Sequence, residues 1–148
     1  MIPKFRGRST VEDDKGKWVY GHLLIDNKRA LIINGIIEAN DEYVSIGDWC
    51  SIDMKTIGQS TGVFDRNGTE IFEGDIIDTT DYEGGLSSVG NPLVKVERDK
   101  YGFVVTGDFP TSPITLKEFE AGRKFAGVEV IIAGNIYENP ELVEVIDD

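Results

Sequence analysis

The sequence predicts a mainly β protein built around a small barrel, with one or two short helices. Three observations carry that expectation. Apolar residues come in short runs with strand-like alternation, as in "KGKWVYGHLLI", which places Trp18 and Tyr20, then Leu23 and Ile25. Glycine is abundant, 17 of 148 residues, and sits between those runs as turn punctuation. No stretch sustains a 3.6-residue apolar period, so long helices are not expected.

The elements follow in chain order. After the run just quoted, "DNKR" at 26–29 makes a turn into "ALII", and Asn34-Gly35 signals a hairpin before "IIEAN". "DEYVSI" reads as a short strand ended by Gly47. Val63 and Phe64 run into "DRNG" and "TEIF" runs out, a hairpin in which Asn67-Gly68 supplies positive φ. "EGD" at 73–75 turns the chain again, and "IIDT" begins a new strand. No helix follows these glycines, which excludes a phosphate cradle at Gly68 and Gly74. "DTTDYEGGLSSVGNP" reads as a long, polar, mobile loop, and "LVKVE" and "YGFVV" as two strands. Thr115 and Glu118 match a capping box, so "LKEFEA" is a short helix with Gly122 at its C′ position. "GVEVIIAGN" is the last strand, and Asn139-Pro140 opens a final helical turn.

Composition bounds the function classes. Hydrophobic residues are 40% and charged residues 28%, values of a globular chain. The longest apolar stretches are far below the roughly 20 residues a membrane helix needs, and "MIPKFRGRST" has no signal-peptide core. A single cysteine, Cys50, excludes an internal disulfide and fits a reducing cytoplasm. The net charge of −12 is uneven: residues 1–60 hold 8 basic and 9 acidic residues (net −1), and 61–148 hold 7 and 18 (net −11). Such acidity opposes binding to phosphate backbones, so direct nucleic-acid binding is not expected of the acidic part.

Candidate chemistry is sparse. Cys50, beside Trp49, reads as a small core residue, and His22 as a partly buried, hydrogen-bonded histidine. Zinc would lack soft ligands. Glu70, Glu73, Asp75, Asp78, Glu138 and Glu141 are near enough in sequence to consider Mg²⁺ or Ca²⁺, but strand alternation splits the first group over different faces. A nucleic-acid groove would have to use Lys4, Phe5, Arg6, Arg8, Lys15, Lys17, Trp18 and Tyr20, where cations and aromatics interleave.

Two segments resemble the YopX-like proteins of bacteriophages and prophages: "TIGQSTGVFDRNGTEIFEGDII" at 56–77 and "IAGNIYENPELV" at 132–143. "KFRG" and "WVYG" resemble that family's opening, whereas the loop at 81–92 and "TGDFPTSP" follow no family pattern. The resemblance implies an SH3-like small barrel lobe at 56–148 and an N-terminal β-rich lobe at 1–55, together one compact unit. It implies a phage-encoded protein in the cytoplasm of a bacterial host, and it carries over no catalytic, cofactor or metal residues. Its hallmark positions, structural or partner-binding, are Gln59, Gly62, Asp65, Asn67, Gly68, Phe72, Glu73, Gly74, Asp75, Gly134, Asn135, Ile136, Tyr137, Glu138, Asn139 and Pro140. In bends, such Asn and Asp side chains accept backbone N–H groups, while Phe72, Ile136 and Tyr137 offer apolar bodies to close a barrel. The expected function is a non-catalytic binding or assembly module that contacts a protein partner or copies of itself. The alternatives are a nucleic-acid-binding barrel using the N-terminal strip, and a carboxylate–metal enzyme.

Overall fold

Strands take 52% of the residues and helices 17%, so the β-branched and aromatic runs do form a mainly β protein. The computed structural model describes residues 4–42, 44–80 and 91–147. The chain divides into two units, Met1–Ser60 and Thr61–Asp148. The charge asymmetry follows the same division, −1 in the first and −11 in the second.

The N-terminal unit is built from β1 (Phe5–Ser9), β2 (Trp18–Asp26), β3 (Arg29–Ala39) and most of β4 (Val44–Phe64). Each pairs antiparallel with the next, and β4 returns to pair with β1, so the sheet closes partly into a ring, consistent with a small barrel. Ala30, Ile32 and Ile52 are buried inside, with Phe5, Val19, Leu23 and Ile57 packed on them. At Gly21 strand β2 changes partner: Gly21 faces Phe5 of β1, while His22 faces Ile33 of β3.

The C-terminal unit holds the end of β4, β5 (Glu70–Phe72), β6 (Asp75–Asp78), β7 (Leu93–Asp99), β8 (Gly102–Gly107), β9 (Ile114–Thr115), α1 (Leu116–Ala126), β10 (Ile131–Asn135) and α2 (Pro140–Asp147). Its antiparallel sheet has the order β10-β6-β7-β8-β9. Ile71, Ile77, Val94, Val96, Val105, Phe109, Val130 and the α1 residue Phe119 form one core.

Four local expectations are corrected. Asn34-Gly35 is no hairpin turn; β3 runs through it, and the register shifts around Gly35 absorb it as an irregularity in pairing with β4. Gly47 ends nothing, because β4 is a 21-residue strand whose pairing with β3 and β1 outweighs a local breaker. In the Asp65–Gly68 turn only Gly68 takes positive φ, 79°, and its N–H reaches the Asp65 carbonyl at 3.0 Å. Helix α1 passes Gly122 and stops at Gly127, whose φ of 67° lets its N–H bond the Lys124 carbonyl. The loop read at 78–92 has its residues 81–90 outside the described residues.

The capping box at α1 is formed: Glu118 N–H donates to Thr115 Oγ1 at 3.1 Å, and Thr115 N–H to Glu118 Oε1 at 3.4 Å. Replacing Thr115 with Ala is expected to lower stability by about 1 kcal/mol in urea unfolding. An unchanged midpoint would mean the cap contributes nothing here.

Candidate functional site

The two hallmark segments meet in the C-terminal unit, where backbone N–H groups bond the side chains of Asp65, Asp75, Asn135 and Asn139. Asp65 Oδ1 accepts from Asn67 and Thr69 N–H, both at 2.9 Å, closing its own turn. Its other oxygen accepts from Ile132 N–H at 3.1 Å, 67 residues away, in the second segment. Asp75, fully buried, accepts from Phe72 N–H at 2.8 Å and tightens the Glu73-Gly74 bend. Ile136 N–H then reaches the Gly74 carbonyl at 2.9 Å, and Asn135 lies opposite Asp75 in the β10–β6 ladder. Asn135 Oδ1 accepts from Tyr137 and Glu138 N–H at 3.0 and 2.9 Å, while Asn139 Oδ1 accepts from Asn135 N–H at 3.1 Å. Pro140 opens α2, as its position before a helix requires.

Asn67, Phe72, Ile136 and Tyr137 join this network through their backbone N–H groups. Gln59 sits in the N-terminal unit opposite Phe5, and Gly62 takes a φ of 77° within β4. Asn67 and Gly68 are exposed at their turn, Phe72 is buried, and Ile136 and Tyr137 are half-buried. Gly134 packs so tightly on Asn139 that a Cβ there would stand 2.2 Å from Asn139 Oδ1.

The candidate carboxylates do not gather. Asp78 bonds Thr80 N–H at 2.9 Å, Glu138 takes the Asn135 amide and Glu141 the Asn139 amide, both at 3.4 Å. Among the described residues no three His, Cys, Asp or Glu side chains come close enough to share a metal ion.

The N-terminal unit departs further from expectation. His22 is exposed, not partly buried, because it lies on the outer face of the ring, in a row with Ile33 and Trp49. Trp49 is 59% exposed on that face. Cys50, one residue on, points to the opposite face, where its thiol donates to Ser9 Oγ at 3.2 Å. A Cys–His pair is therefore excluded by alternation. The interleaved strip does assemble: Arg6 faces Tyr20 and Arg8 faces Trp18 across β1 and β2. Its cations have local tasks, however. Arg6 is 5% exposed and lies 4.4 Å from the Trp18 ring, Arg8 Nε donates to the Gly16 carbonyl, and Lys17 pairs with Asp14. What the outer face offers is apolar: Tyr20, Leu24 and Trp49 are each more than 40% exposed. The pairing of Trp49 with Ile33, and of Ile33 with His22, sets Trp49 on that face, and no local pattern reports it.

A comparison with curated proteins gave no match. The crystal structure of protein EF1440 from Enterococcus faecalis is similar, with a TM-score of 0.62 at 26% identity over 97% of this chain and 99% of that one. The model of the YopX protein family matches residues 4–144, and the chain belongs to that family.

Proposed function

We propose that this protein is a non-catalytic binding module that acts through protein–protein contacts, a phage-encoded accessory protein working in the bacterial cytoplasm. The observation that supports this reading is the outer face of the N-terminal ring. There Tyr20, Leu24 and Trp49 stand exposed on a partly closed sheet alongside His22, with the buried Ile33 between His22 and Trp49. Aromatic anchors on a rigid support lose little entropy on binding and dominate protein interfaces. The unit carrying them has a net charge of only −1, so recognition there rests on apolar complementarity and not on a field. Asp65, Asp75, Asn135 and Asn139 hold turns, and on this reading the exposed surface is the part offered to a partner.

The test is capture from host lysate with the tagged wild-type chain and with a Trp49→Ala variant, read by quantitative mass spectrometry. A genuine partner is enriched by the wild type and loses about 30-fold in affinity with the variant, as removal of an interface anchor does. The same yield from both proteins would refute this surface.

A further inference from the structure

A groove in the acidic C-terminal unit has cations around it. A cavity of about 470 Å³ lies where the β7–β8 turn meets the start of α1, with Tyr101, Phe103 and Leu116 as apolar walls and Lys117 at its margin. Lys100 stands 5.1 Å from the Tyr101 ring and Arg98 5.7 Å from the Phe103 ring. Three of the seven basic residues of 61–148 thus collect at one place, in a unit of net −11. Asp99 also lines it, its Oδ1 accepting Tyr101 and Gly102 N–H at 2.8 and 3.1 Å, and Glu118 of the α1 cap is near; the three cations outnumber these two carboxylates. Tyr101 is 86% exposed, an aromatic ring held in water beside a groove.

The same unit carries the complement. On α2, Glu141, Glu144 and Val145 fall at i, i+3 and i+4 and share one exposed face, with Val145 52% exposed. Ile146, 5% exposed, fastens the opposite side of that helix to its own unit, so the acidic face is turned outward. We propose that the groove takes the α2 face of a second copy of this chain: Val145 against Tyr101 and Leu116, Glu141 and Glu144 against Lys100, Lys117 and Arg98. This deepens the protein–protein reading above by naming one partner as the chain itself. Groove and helix are different patches, so the contact is heterologous and propagates head to tail into a ring or a filament. It also gives copies of a strongly acidic unit a place to meet without like charges opposed.

Charge exchange tests it by sedimentation velocity on the full chain across a concentration series. Wild type is expected to self-associate. Lys100→Glu with Lys117→Glu, and separately Glu141→Lys with Glu144→Lys, should each weaken association at least about tenfold. Mixing the two double variants restores it, because each then presents what the other lacks. All four positions are exposed, so the fold survives, and far-UV circular dichroism checks that. Tyr101→Ala, a change without charge, should weaken association as well. Trp49→Ala should leave it unchanged, which separates this contact from the outer-face surface. A wild type that stays monomeric at its highest soluble concentration overturns the proposal. So does association by both double variants at wild-type strength, or a mixture that fails to recover.

Discussion

Asp65→Ala is expected to lower the stability of the C-terminal unit by about 3 kcal/mol. One carboxylate serves three backbone donors, two in its own turn and one on Ile132. Hydrogen bonds to a charged acceptor contribute roughly 1.5–3 kcal/mol each, but the Asn67 and Thr69 N–H groups lie at an exposed turn and regain water when the acceptor goes. The half-buried Ile132 N–H does not, and it is the link between the two hallmark segments. Asp65→Asn should cost about half as much, since one amide oxygen can still serve the turn while its NH₂ faces the Ile132 donor. Urea unfolding measures this, and the two tryptophans localise it. Trp18 and Trp49 both lie in Met1–Ser60, so fluorescence follows that unit while far-UV circular dichroism follows the whole chain. A loss below about 1 kcal/mol for Asp65→Ala would show that the segments are held together by packing alone.

That network also explains why the family was readable from the sequence while the surface was not. Asp75, Asn135 and Asn139, and Asp65 through its Oδ1, bond groups within a few residues of themselves, and Asn, Asp and Gly in bends report such local hydrogen bonds directly. The capping box at Thr115 is legible for the same reason. Elements settled by distant pairing were misread. Asn34-Gly35 has hairpin chemistry, yet β3 continues because β4 lies beside it to be paired. Gly122 looks like a helix end, yet Arg123, Lys124 and Ala126 are good helix formers, and the stop waits for Gly127. His22 was misplaced in burial because a strand's alternation says which residues share a face, but not which face meets the core. The ring closure through the β1–β4 pairing decides that, and it joins residues about 50 apart, such as Phe5 and Gln59.

The ring itself has a point of no tolerance, and Gly21→Ala is expected to remove more than about 3 kcal/mol or to leave the N-terminal unit unfolded. A Cβ at Gly21 would stand 2.4 Å from the Ile33 carbonyl oxygen and 3.1 Å from its carbon. Both atoms are backbone of a paired strand. Relief requires β2 and β3 to separate just where β2 hands over from β1 to β3, next to the His22–Ile33 pair. Gly7 provides the contrast. Its Cβ would meet Ile52 Cδ1 at 2.4 Å and Ile52 Cβ and Cγ1 at 3.1 and 3.2 Å, all side-chain atoms, which a rotamer change and a shift of a few tenths of an ångström relieve, so Gly7→Ala should cost about 1–2 kcal/mol. Tryptophan fluorescence in urea compares the two, and equal losses would mean that the partner exchange at Gly21 is not the constraint the geometry indicates. The outer face depends on the same pivot, because Tyr20 precedes it and His22 follows it. Gly21→Ala should therefore abolish capture of a partner through Trp49, while Gly7→Ala, with the ring intact, should keep it.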